Sequence, residues 1–188
     1  MDLSNDEKCA LLKIARTAIE SSLKGKSLPE LEYDSDAMKR RSGVFVTLRI
    51  GEDLRGCIGY IEPLFPLAEA TQEVAVKAAK EDPRFMPLTQ SEYENIKVEI
   101  SVLSPVEELK NIDSIEIGKH GLIIDAGYRR GLLLPQVATE YGWNRIQFLE
   151  HTAIKAGLPP DAWKRKDAKL FSFSVEKIEE AEFGVKEK

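Results

Sequence analysis

Cysteine and histidine are scarce in this chain, with two of each among 188 residues. Cys9 sits at the edge of an apolar helical stripe and Cys57 in a strand pattern, so the thiols do not form a disulfide framework. Cys57, His120 and His151 are far apart in sequence. No Cys-x-x-Cys or His-Glu-x-x-His spacing occurs, and no metal is expected. A phosphate-binding loop is also missing, and the glycines between Gly51 and Gly59 follow no Gly-x-Gly-x-x-Gly template. No cofactor is expected. No apolar run approaches the roughly 20 residues that span a bilayer. The stretch Met1 to Glu7 is acidic and lacks the basic and apolar regions of a secretory leader. These absences predict a cytoplasmic protein with no membrane role. Excess positive charge is lacking as well: a net charge of −5 makes nucleic acid an unfavoured partner.

What is present suits one soluble domain over residues 1–188, with 43% hydrophobic and 31% charged residues. Ser4 and Glu7 have capping-box spacing ahead of a stripe of Leu11, Leu12, Ala15, Ala18, Ile19 and Leu23, which predicts a helix ending near Gly25. Val44, Val46, Leu48 and Ile50 alternate as a strand, Gly51-Glu52-Asp53 turns the chain, and a second strand returns through Leu54 to Tyr60. Pro66 opens a helix with Leu67, Ala70, Val74 and Ala78 on its buried face, and Pro83 ends it. Ile96, Val98, Ile100 and Val102 predict a half-exposed strand. Beyond Ile115 a hairpin turns at Ala126-Gly127. Pro135 starts a short helix, Asn144 and Gln147 cap a longer one, and a strand runs from Leu170 to Val175. Successive hairpins with helices between them predict an α+β fold with a mainly antiparallel sheet. Each half reads as strand, Arg-Gly, strand, proline and helix. That echo is compatible with an internal duplication of lobes near 1–111 and 112–188.

The densest chemistry lies in Leu54-Arg55-Gly56-Cys57-Ile58-Gly59-Tyr60. Strand alternation places Arg55 and Cys57 on one face, where a guanidinium would favour the thiolate. Gly56 and Gly59 mark a bulge or a close approach by a ligand or another backbone. The competing reading is a small buried hydrophobe. His120 lies in Gly118-Lys119-His120-Gly121, a turn where it could move a proton at neutral pH and Lys119 could meet an anion. Hydrogen bonding to a nearby carbonyl is its structural alternative. Asp82 and Arg84 flank Pro83; they can pair with each other or with Arg55, or leave Arg84 to meet a substrate. Of the adjacent Arg129 and Arg130 only one can line a given face, and analogy with Arg55 selects Arg130. His151, Trp143 and Trp163 read as packing residues.

The run Leu54 to Gly59 resembles the signature of the AMMECR-one domain. Gly43 to Leu48, Glu81 to Phe85, Gly118 to Leu122 and Arg129 to Val137 resemble further segments of that family in the same order, so the likeness covers almost the whole chain. It implies an α+β fold with two lobes around a cleft. It also implies functional association with Memo-like and radical-SAM-like proteins, and it strengthens His120 as a site residue. The combined expectation is an enzyme, or an enzyme component, acting on a small anion. Cys57 and His120 would be its catalytic pair, and Arg55, Gly56, Gly59, Arg84, Lys119 and Arg130 would contact substrate. These groups are expected to meet in one open cleft. The alternative is a non-catalytic module that binds a metabolite or a partner protein, with Cys57 as packing.

Overall fold

Ser4 begins the first helix as the sequence predicts: its hydroxyl accepts from the Glu7 N–H while the Glu7 carboxylate receives the Ser4 N–H. The computed structural model describes residues 3–184. They fall into two compact units, one within Met1–Val102 and Glu176–Lys188, the other Leu103–Val175. The division therefore differs from lobes at 1–111 and 112–188, because the last part of the chain belongs with the first unit.

The first unit starts with α1 (Asn5–Leu23), whose Leu11, Leu12, Ala15, Ala18 and Ile19 are buried. A single turn, α2 (Asp36–Lys39), lies in the connection that follows α1. β1 (Val44–Ile50) and β2 (Asp53–Tyr60) form the expected hairpin, with Gly51 at φ +62 where an L side chain would be strained. α3 (Leu67–Lys80) follows Pro66 at its N-cap and buries Leu67, Ala70, Val74 and Ala78. After the short α4 (Gln90–Tyr93) comes β3 (Ile96–Leu103). Within this unit the strands run β2–β1–β3, all antiparallel, with β2 outermost. One face carries Val44, Val46, Leu48, Val98, Ile100 and Val102 into a core shared with α1 and α3. The other carries Phe45, Thr47, Arg49, Cys57, Glu99 and Ser101. Ser101 on that polar face is buried, so β3 is less exposed than its alternation suggests.

The second unit holds β4 (Glu107–Glu108), β5 (His120–Asp125), β6 (Arg130–Leu133), α5 (Pro135–Glu140), α6 (Arg145–Lys155) and β7 (Lys169–Glu179) up to Val175. β5 pairs antiparallel with β6 and β7, and β4 pairs with β7. Asn144 and Gln147 form the anticipated capping box. Phe148 and Leu149 pack with Leu122 and Ile115. β7 runs four residues beyond the strand expected to stop at Val175, and those residues lead into α7 (Glu180–Phe183) in the first unit. Each unit contains a hairpin followed by a helix, a common motif and not by itself a sign of duplication.

Candidate functional site

Cys57 lies on the outermost strand of its sheet, directly across from Thr47. Its N–H points away from β1 and donates to Asp82 Oδ2 at 2.8 Å. Thr47 and Cys57 are thus a non-hydrogen-bonded pair, the kind in which facing side chains come closest. The Thr47 hydroxyl accordingly donates to Cys57 Sγ at 3.2 Å. The thiol is half-buried, so it is neither sealed in apolar packing nor fully open.

The Glu81 to Phe85 segment explains why this strand edge is covered. Asp82 is only 4% exposed and accepts four N–H bonds: Cys57 N and Arg84 NH2 on Oδ2, Arg84 N and Nε on Oδ1. Arg84 also donates to the Cys57 carbonyl at 3.3 Å. Both outward backbone groups of Cys57 are therefore satisfied by side chains, which closes a segment of edge otherwise open to another strand. The Arg84 guanidinium and the backbone donors hold Asp82 far below the usual carboxylate range. Arg84 is held above its ordinary value by its hydrogen bonds to Asp82 and by the negative charge of that carboxylate. Pro83 stiffens the turn that presents both residues.

Arg55 does something different from the expected activation of Cys57. The β1–β2 register slips between Leu48 and Arg49: Leu48 faces Gly56 while Arg49 faces Leu54, leaving Arg55 without a cross-strand partner. This bulge interrupts the alternation on which a shared face with Cys57 was argued, and bulges re-aim side chains. Arg55 forks onto Glu92 through Nε at 2.8 Å and NH2 at 3.1 Å, and caps the Met86 carbonyl. That pair, with the Thr89 N–H, lowers Glu92 to about 2. Arg55 and Arg84 flank the Phe85 ring, at 5.8 and 5.5 Å from its centre.

The two glycines have internal explanations. A Cβ on Gly56 would lie 2.2 Å from the Ala78 carbonyl oxygen, so the close backbone approach is made by α3. A Cβ on Gly59 would meet the Phe45 ring at 2.3 Å.

His120 opens β5 in the second unit, and its Nδ1 accepts the Glu116 N–H at 3.1 Å. The ring thus bonds to local backbone, though to an N–H where a carbonyl was expected. Lys119 pairs with Glu116 at 2.9 Å. Arg130 is exposed at the start of β6, across from Asp125. Its neighbour Arg129 donates to the Gly157 carbonyl. His151 stacks on Trp143 with ring centres 3.8 Å apart and planes within 2°, a packing role as read from the sequence.

Cys57, Thr47, Asp82 and Arg84 are therefore brought together inside one unit, along with Glu99 across β1 from Thr47. Glu99 is held by Arg49 at 2.9 Å and Lys177 at 3.4 Å. Thr47 and Glu99 carry no local sequence signal for the site; the β1–β2 and β1–β3 registers reveal them. Among the described residues no group of three or more His, Cys, Asp or Glu side chains could hold a metal. Nor is any helix among them long and apolar enough to cross a membrane.

Comparison with known proteins places the chain in a family. Residues 12–178 match the family model AMMECR1. A protein of Methanothermobacter thermautotrophicus is 47% identical over 182 residues, spanning 93% of this chain and 94% of its own. One of Methanopyrus kandleri is 44% identical over 96% of this chain and 91% of its own. The crystal structure of uncharacterized protein PH0010 from Pyrococcus horikoshii superposes with a TM-score of 0.85 at 40% identity, covering 93% of this chain and 92% of that one. An α+β fold with antiparallel pairing, the ordered motifs and relatives matched along nearly their full length agree: the chain belongs to the AMMECR1 family.

Proposed function

We propose that this protein is an enzyme, or a component of one, that presents the Cys57 thiol to a small anionic substrate. One observation carries the reading. Cys57 is a half-buried thiol whose sulfur receives a hydroxyl hydrogen bond while its own N–H and C=O are clamped by an acid–arginine pair. Such clamping holds a reactive atom in place before substrate arrives, which is what a nucleophile on a rigid strand needs. Arg84 is the cation hydrogen-bonded to this backbone. His120 has its Nδ1 engaged by backbone, so any proton transfer it performs would use Nε2.

Iodoacetamide labelling of the folded protein, with peptide mapping to separate Cys57 from Cys9, tests the proposal. Alkylation forms an S–C bond, expels iodide and releases the thiol proton to solvent. Cys57 is expected to be modified in the native state, and Cys57→Ser to abolish that labelling. A Cys57 that reacts only after denaturation would favour a binding module in which this residue merely packs. The internal neutralisation of Arg55 by Glu92 and of Arg84 by Asp82 is the observation on the side of that second reading.

A further inference from the structure

The hydrogen-bond count at Arg84 narrows what the Cys57 site can accept. Arginine carries five N–H donors. Here Nε–H goes to Asp82 Oδ1, one NH2 hydrogen to Asp82 Oδ2 and the other to the Cys57 carbonyl. The fork with which arginine grips phosphate or carboxylate bidentately is already occupied by Asp82. Among the described residues only the two hydrogens on NH1 remain without an acceptor. The side chain is 53% exposed, which leaves the guanidinium within reach of a ligand from solvent. Arg55 is no second anchor. It spends the same three hydrogens on Glu92 and Met86, and its side chain is only 13% exposed.

Charge points the same way. Asp82 is ionised because its proton affinity is far below normal, and it cancels Arg84. Glu92 cancels Arg55. Farther along the same sheet face, Arg49 and Lys177 are matched by Glu99 and Glu179, so each of these four cations has a carboxylate partner. A phosphate dianion is ordinarily held by several donors and net positive charge, and it would be poorly served here. A carboxylate monoanion, which needs one oxygen contact and loses less on leaving water, suits the arrangement.

We infer that the Cys57 site recognises a substrate carboxylate through Arg84 NH1, in preference to a phosphate. The inference rests on the functional reading above, and it is tested by a signal that does not require the thiol to react. In uniformly ¹⁵N-labelled protein, the Arg84 side-chain resonance is identified by its loss in Arg84→Lys. It is then followed during titration with acetate and, separately, with inorganic phosphate at pH 8, at matched ionic strength. Acetate is expected to shift the resonance saturably, at a concentration at least about five-fold below that needed by phosphate. The Cys57 backbone amide should move in parallel, because Asp82 joins it to Arg84. A tighter response to phosphate, or none to acetate, overturns the inference. Iodoacetamide labelling of the same sample separates the two claims: acetate binding with an inert Cys57 would leave the carboxylate site standing and remove the enzyme reading.

Discussion

Asp82 is the residue on which the neighbourhood of Cys57 depends most. Its carboxylate is nearly inaccessible and receives donors from the strand, the turn and the guanidinium together. Replacing it with asparagine keeps the shape but turns one acceptor oxygen into an N–H₂ facing donors. Asp82→Asn is therefore expected to cost on the order of 2 kcal/mol in denaturant melts. The ion-pair part of that cost is discounted because Arg84 is half exposed. The same residue sets an acid dependence. Its folded-state proton affinity is depressed, so the unfolded chain takes up the proton first as pH falls. The stabilisation is complete above about pH 4, the unfolded carboxyl range, and drains away below it. Glu92, lowered to about 2, loses its contribution between its ordinary value of 4.5 and that point. Wild-type stability should fall between pH 4.5 and 2 more steeply than that of Asp82→Asn, measured by urea unfolding at each pH. Parallel curves would mean that the Asp82–Arg84 pair contributes nothing to stability.

For the elements, the contact between β2 and α3 is set by the absence of a side chain at Gly56. A methyl group there would lie 2.2 Å from a helix carbonyl oxygen, which belongs to rigid backbone, so strand and helix would have to separate. Gly51 presents the contrasting case: nothing lies within 4 Å of where its methyl group would sit, but φ is +62. Gly56→Ala is expected to destabilise the protein by about 3 kcal/mol or more, through packing. Gly51→Ala should cost nearer 1 kcal/mol, through backbone strain alone. Thermal melts of the two variants distinguish these causes, and equal losses would contradict the proposed contact. The bulge at Arg55 acts at this scale as well. One extra residue in β2 takes Arg55 to Glu92 on the α4 turn, while Cys57 stays in register with Thr47.

Considered as a whole, the molecule has a first unit that is discontinuous in sequence, completed only after the second unit has been traversed. Arg16 of α1 is buried and donates to Glu180 of α7 at 2.5 and 2.6 Å and to the Ile96 carbonyl at 2.6 Å. Glu180 in turn accepts the Val98 N–H at 3.1 Å. This buried pair ties α1, the start of β3 and α7 together inside that unit. Glu180→Gln leaves the guanidinium charge without its counterion in a buried setting, a change that costs about 3–5 kcal/mol where such pairs have been broken. Hydrogen exchange should quicken in α1 and around Val98. A paired Arg16→Met, Glu180→Leu replacement should recover most of the loss, since it removes both charges at once. Unchanged exchange in Glu180→Gln would show that the pair does not hold the segment.

Periodicity, caps and prolines by themselves determined α1, the β1–β2 hairpin, α3, β3, the β5–β6 hairpin and α6, because those signals are local and repeat over several residues. The ordered motifs likewise determined the family. Tertiary structure decided the remainder. Regular alternation puts residues two apart on one face and so makes Arg55 the expected activator of Cys57; a single bulged residue removes that premise. Thr47 became visible as the partner of the thiol only through cross-strand register. Asp82 and Arg84 were legible as a possible pair, but not as the cover on a strand edge 25 residues earlier in the chain. The return of the C-terminal residues to the first unit rests on a buried Arg16–Glu180 contact across 164 positions. Local sequence carries the propensity of each segment; which distant side chain satisfies a buried charge or an unpaired N–H is chosen only when the segments pack.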